Sequence, residues 1–303
     1  MRAGTEGAAT SALAGPRRTT LRVATHLAPS VLPAYALATR RMSERLARPA
    51  ELLVAADYRR CAADLDHVCF VCSVPYLLFS TAGRIRMEVL AAPVLRGRRY
   101  ADRPVYFSDV IVRADGPWRS LADLAGTRWA YNEPYSHSGF VVALHGLAEL
   151  GAGPEFIGQA IEAGFHDDAI RFVVEGRADW AAIDSQVLEL ATRRDPRLRH
   201  RLRVVATLGP FTIQPVVAST RRFGAGQRNA VREVLLGMRA EPDDRATLAE
   251  AGIDRFVAVT DADYADIRAM LSTVSRAGLL PDWWWPRWRA LTGEPDDPPA
   301  EVA

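Results

Sequence analysis

The 303-residue chain reads as an α/β protein in two lobes joined by two crossings. Three observations carry this. From Thr20 onward, short β-rich runs alternate with helical spacings, which argues an α/β architecture with a largely parallel sheet. Hydrophobic residues make up 49% of the chain, enough for a sizeable core. Two long β-rich stretches sit where the chain would pass to a second lobe and back: Val105 to Val112, and Leu202 to Leu208 continued by Ile213 to Ala218. Two crossings describe a hinged clamshell with its ligand in the cleft.

The elements follow in order. Leu21 to Thr25 is a strand, and Val31 to Leu46 a helix by its apolar spacing. Glu51 to Ala55 is a strand, Tyr58 to Leu65 a short helix and His67 to Val71 a third strand. Pro75 to Ser80 starts a helix and Met87 to Ala92 is a fourth strand. After the β-rich run ending at Asp115-Gly116-Pro117 come a helical turn at Leu121 to Leu124 and a strand at Thr127 to Tyr131. A helix then covers Ser138 to Leu150, Phe156 to Ala160 is weakly strand-like, and His166 to Val174 is a helix. Asp167 and Asp168 suit its first turn and Gly176 its end. Trp180 to Ile183 is a strand, Ser185 to Thr192 a helix, and Gly209-Pro210 bends the strand from Leu202. Ala225 to Gly278 is mostly helical, with 262–277 as scaffold. The domains are thus a disordered segment 1–19, a first lobe 20–108, a second lobe 109–208, a return through 209–290 to the first lobe, and a flexible tail 291–303.

Charge narrows the function. The net charge is +2, and the chain has no lysine, so its basic residues are all arginine. No basic run is interleaved with aromatics, which argues against nucleic-acid binding. Cys61, Cys69 and Cys72 form no disulfide framework. Cys69-Phe70-Val71-Cys72 is a CxxC inside a strand-like stretch, without the second ligand pair of a zinc site or the helix start of a redox motif. Core packing is the better reading, and neither metal nor cofactor is expected.

The stretch that organises the chain is Tyr131-Asn132-Glu133-Pro134-Tyr135-Ser136-His137-Ser138-Gly139-Phe140. Pro134 breaks the preceding strand, and Ser136 or Ser138 can cap the helix whose apolar positions include Val141, Val142, Leu144, Leu147 and Leu150. A strand that turns through serines into a helix aims unpaired N–H groups and the positive dipole end at one spot, a seat for an anion. The same pattern also describes an ordinary serine-capped helix.

Taken in sequence, the motifs resemble one family. Ser120-Leu121-Ala122-Asp123-Leu124-Ala125-Gly126-Thr127-Arg128, followed by Glu133 to Gly139, is similar to the phosphate, phosphite and phosphonate solute-binding proteins of ABC importers. That family carries a leucine–aspartate–leucine–x–glycine segment and then Ser-Thr-Ser-Gly at a helix start. Phe165 to Ile170 resembles its histidine-led helix, and Glu175 to Asp184 its following glycine-x-x-aspartate strand. Ala56-Asp57-Tyr58, Asp66 to Phe70 and Asp263 to Arg268 add weaker matches in the right order.

The resemblance implies a type 2 periplasmic-binding-protein fold that captures a small phosphorus oxyanion for import, as a monomer partnered by transporter membrane subunits. Ser136, Ser138 and the N–H of Gly139 would hold the anion, His137 standing where the family has threonine. His166 matches the binding histidine, and Tyr58 and Tyr106 would close from the first lobe, with Tyr76 a further candidate. Asp184 stands near a position where aminophosphonate binders place a carboxylate, and equally suits a cap for the helix from Ser185. Gln214 stands at the second such position; being neutral, it argues against an aminophosphonate and leaves phosphonate, phosphite or a phosphate-like ion.

Family resemblance places the protein in the periplasm or at the cell surface. Met1 to Thr20 lacks the apolar stretch of a secretory signal, which leaves the cytoplasm open and with it a second class of function: an enzyme or ligand sensor on the same clamshell, of pyrimidine-precursor or menaquinone-pathway type. His166, His137 and Asp184 would then be acid–base groups. Trp283-Trp284-Trp285-Pro286-Arg287-Trp288 reads as a segment packing its tryptophans back onto the first lobe.

Overall fold

The structure, a computed structural model, describes residues 19–54, 58–81 and 86–293. The expected disorder up to residue 18, the tail after Gly293 and the motif residues Ala56-Asp57 lie outside them.

The first lobe opens with β1 (Leu21–Thr25), whose inward side chains Leu21 and Val23 are fully buried. A turn through Pro29 leads into α1 (Leu32–Leu46), which buries Ala34, Tyr35, Leu37, Ala38 and Met42 along one stripe and ends at Ala47 in the left-handed region. There follow β2 (Ala50–Val54), the single turn α2 (Arg59–Ala62), β3 (Val68–Phe70), α3 (Ser73–Thr81) and β4 (Met87–Leu95). The second lobe holds β5 (Val105–Arg113), β6 (Thr127–Tyr131), α4 (Val142–Glu149), β7 (Ile157–Glu162), α5 (His166–Val174), β8 (Trp180–Asp184), α6 (Ser185–Arg194), α7 (Leu198–Arg201) and β9 (Leu202–Thr212). The chain returns through β10 (Val216–Ser219), α8 (Ala225–Gly237), α9 (Pro242–Glu250), β11 (Ile253–Val257), α10 (Ala265–Arg276) and α11 (Trp284–Thr292).

Two sheets result, ordered β11-β4-β10-β3-β1-β2 and β7-β6-β8-β5-β9. Both are mixed, which corrects the expectation of a largely parallel sheet. The strands delivered by β-α-β units pair in parallel, as in β1 with β2 and β3, and β6 with β7 and β8. The strands that carry the chain across and back run the other way. β5 is antiparallel to β8 and β9, and β10 enters antiparallel between β3 and β4. All of β5 belongs to the second sheet, so the chain changes sheet between Leu95 and Val105, ahead of the β-rich run rather than inside it. The return falls between Thr212 and Val216. The bend expected at Gly209-Pro210 is a bulge within one continuous β9, where the register slips between Tyr106 and Ser108.

Three elements escape the sequence reading: the single turn α7, β11 and α11. β11 is, among the described residues, an edge strand paired with β4 alone, and it carries Asp254 and Arg255, so its alternation reads as polar. α11 spans the tryptophan cluster, with Trp284 and Trp288 fully buried. It packs on more than the first lobe. Trp288 meets Tyr58 and Phe79 of the first lobe and Tyr135 of the second, and Trp284 Nε1 donates to Pro134 O at 2.7 Å. Leu291 and Thr292, expected as tail, are its last helical residues.

Candidate functional site

A cavity of about 240 Å³ lies between the lobes, reached by residues from the carboxyl ends of strands in both sheets. His26 follows β1 directly, Asn132 and Glu133 follow β6, and Asp184 ends β8. Asn132 to Ser136 and Ser138 form one wall, and His166, at the start of α5, stands beside it.

The helix start is built from the chain outward. Ser136 has extended backbone, and its Oγ accepts from Gly139 N at 3.0 Å, which opens a π-turn at His137–Val141 that runs on into α4. Behind it Trp129 stacks on Phe140 and on Trp180, filling the second lobe beneath the turn. Gly139 is required here because a Cβ would collide with Asn132 Oδ1 and crowd His166 Cε1. Ser138 Oγ lies 3.1 Å from His166 Nε2, and the Ser138 carbonyl accepts from Ser108 Oγ at 2.7 Å, which ties the turn to β5.

The structure brings Tyr58, Tyr106, Ser136, Ser138, His166 and Asp184 to the cavity wall, together with Gln214. His137 and Gly139 are not on that wall. The His137 ring is fully buried, with Nδ1 2.5 Å from the Tyr106 hydroxyl and an edge toward Phe211, and the His137 backbone N–H donates to Cys72 Sγ. Burial lowers its pKa to about 3, so at neutral pH the ring is uncharged. Gly139 supplies its N–H to the cap. Tyr76 faces away, its hydroxyl donating to Asp261 Oδ1 at 2.5 Å.

Charge in the cavity is unusual for an anion seat. His166 is neutral, its pKa lowered by burial to about 4. Arg287 is the one guanidinium among the described lining residues, and both its NH groups are taken by Glu162 at 2.7 and 3.0 Å. Two carboxyls line the cavity out of full contact with water, Asp184 buried and Glu133 half-buried. Glu133 is raised by burial to about 7, against the pull of the Tyr58 hydroxyl that donates to its Oε1 at 2.8 Å. Asp184 is likewise raised to about 7, although its Oδ1 caps α6 by accepting from Gln186 N at 2.7 Å and Val187 N at 3.4 Å. Several buried polar atoms have no partner: His166 Nδ1, Asn132 Oδ1, Tyr135 OH and His26 Nδ1, all on lining residues. Buried polar groups are nearly always satisfied, so four orphans around one cavity point to something polar that fills it.

Sequence reasoning missed Asn132, Glu133, Tyr135, His26 and Arg287 as lining residues. The first three lie inside the stretch already singled out, and His26 could have been found from its place just after a strand end. Nothing in the sequence signals Arg287.

Two mixed α/β lobes with a cavity between them define the type 2 periplasmic-binding-protein clamshell. A binding protein component of an ABC phosphonate transporter from Pseudomonas aeruginosa superposes with a TM-score of 0.74 at 18% identity, over 86% of this chain and 88% of that one. PhnD1 from Prochlorococcus marinus, solved with methylphosphonate, gives 0.73 at 17% identity over 85% and 98%. An alkanesulfonate-binding protein from Xanthomonas axonopodis, bound to MOPS, gives 0.60 at 17% over 88% and 96%. The family model for the periplasmic substrate-binding protein of phosphonate ABC transporters matches residues 23–264, and the chain belongs to that family. It is a family of transporter solute-binding proteins rather than enzymes. No helix among the described residues is long and apolar enough to cross a membrane.

Proposed function

We propose that the cavity captures one small phosphorus oxyanion, a phosphonate, phosphite or phosphate-like ion, outside the cytoplasmic membrane, and that the closed monomer presents it to the membrane subunits of an ABC importer. The observation that carries this is the helix start at Ser136 to Ser138 opening into a cavity whose wall holds Ser138 against a neutral His166. Hydroxyl and imidazole donors with a helix dipole seat an oxyanion without a free cation. Glu133 and Asp184 stand protonated over part of the neutral range. A protonated carboxyl donates to the anion and an ionised one repels it, so affinity should rise as pH falls through about 7. An ammonium-bearing ligand would show the opposite trend.

Capture works by closure: the ligand shifts the lobes toward the closed form only by its preference for that form over the open one. Tyr58 of the first lobe, already bonded to Glu133 of the second, marks the line along which the lobes meet. The test is calorimetry against methylphosphonate, phosphite, phosphate and a sulfonate, from pH 5.5 to 8.5. Ser138→Ala and His166→Ala should each weaken binding of the preferred oxyanion by about tenfold or more. Unchanged affinity in both variants would discard the site. Glu133 and Asp184, near 7 on the cavity wall, are also what an acid–base enzyme would use. Mass spectrometry of the recovered ligand separates the two readings, because a binding protein returns it unaltered.

A further inference from the structure

His26, Cys61 and Cys69 bring three donor atoms together behind the first-lobe wall of the cleft, all within 4.8 Å of one another. The three residues come from separate elements. His26 follows β1, Cys69 lies in β3 and Cys61 in the short helix α2. The pairing of β1 with β3 sets Ala24 opposite Cys69, and His26 N–H donates to Phe70 O at 3.0 Å, which fixes the imidazole over the β3 cysteine. Tyr58 stacks on the His26 ring at 4.8 Å and holds its plane. The sulfurs stand 3.8 Å apart, and His26 Nε2 lies 3.2 Å from Cys61 Sγ.

We propose that these residues bind a single Zn²⁺-class ion. Two thiolates at about 2.3 Å from a tetrahedral ion sit about 3.8 Å apart, which is the spacing found, and His26 Nε2, 3.2 Å from Cys61 Sγ, is within a few tenths of an ångström of the roughly 3.6 Å that a shared ion sets for that pair. Two thiolates and a neutral imidazole cancel the dication's charge, as a buried site requires. Without an ion the same groups are poorly satisfied, because a thiol–thiol contact is a weak hydrogen bond. Three protein donors leave the fourth tetrahedral position to water, the pattern of open Cys₂His sites. Loading is balanced: two S–H bonds break, two S–Zn bonds form, and two protons pass to solvent. The ion would fasten α2 to β1 and β3, and with it Tyr58, the residue that opens α2 and reaches Glu133 across the cleft. The CxxC spacing hid this, because the partner of Cys69 is Cys61 and not Cys72.

The experiment uses the full chain, reduced and stripped with a chelator, then titrated with Co²⁺ and with Zn²⁺. The expected result is about one ion retained per chain, a thiolate-to-cobalt charge-transfer band in the near ultraviolet, two protons released and a melting temperature that rises with Zn²⁺. Cys61→Ser/Cys69→Ser should abolish the band and the retained ion, with circular dichroism reporting whether the variant is folded. Should it fail to fold, the band and the proton count in the unmodified chain decide alone. No band and no retained ion in that chain overturns the proposal, as does an ion retained equally by the folded double variant. Loss of the mass of two hydrogens in air without any bound ion would assign the pair to a disulfide and overturn it as well.

Discussion

Asp184 serves two purposes with one carboxyl: it caps α6 and lines the cavity. Burial raises it from 3.8 to about 7, so the folded state keeps a proton that the unfolded chain has lost. Its stabilising contribution is complete below the unfolded value and disappears as pH climbs through about 7. His166 and His137 work in the opposite direction, being lowered to about 4 and about 3; their contribution is complete above 6.5 and fails in acid. Asp184→Asn keeps a capping oxygen but no ionisable group. It should therefore be more stable than the parent at pH 8, on the order of 1–2 kcal/mol, with the gap closing near pH 4. Urea unfolding at several pH values checks this, and a loss that is the same at every pH would contradict it. At this scale the sequence was informative wherever one short motif carries its own geometry, as Ser136 and Ser138 do at a helix start. It was silent on Arg287, whose place on the wall depends on a helix distant in the chain, and it marked His26 only by its position just after a strand end.

Among the elements, the π-turn at His137–Val141 is the most tightly specified, since Asn132 presses against the face where Gly139 lacks a side chain. Gly139→Ala must push Asn132 or lift the turn, and should destabilise by about 1–3 kcal/mol. The check is a lower urea midpoint at unchanged slope, together with weaker oxyanion binding as Ser138 shifts from His166. Helices with a clear apolar stripe, such as α1, were legible because burial imposes their period, and β6 was legible as a short β-rich run broken by Pro134. β11 was not, because an edge strand can carry Asp254 and Arg255 facing solvent and partner loops. α11 was not, because aromatic residues and Pro286 make a poor helical signature and only packing against both lobes settles it.

For the whole molecule, the alternation of strand and helix was enough to foretell a clamshell, while strand directions depended on where the chain crosses, which local pattern does not encode. α11 links the halves at a third place besides the two crossings: Trp288 touches Tyr58, Phe79 and Tyr135, and Arg287 pairs with Glu162 on β7. The Arg287 side chain is half exposed, so Arg287→Ala should change folding stability by less than about 1 kcal/mol. It should nonetheless accelerate ligand release several-fold, read by stopped-flow tryptophan fluorescence. An unchanged release rate would mean that the pair does not restrain opening.

That restraint bears on time rather than on affinity. A pair that must part before the cleft can open adds to the barrier between the shut and gaping forms, and slows entry and escape together. A carrier must keep its cargo long enough to meet a transporter and still surrender it on contact. Because α11 lies at the rim, where Arg287 and Leu291 edge the cavity, a docking surface could pull on it directly. The dwell time of the loaded carrier would then be set at its last helix, far along the chain from the serines that hold the cargo.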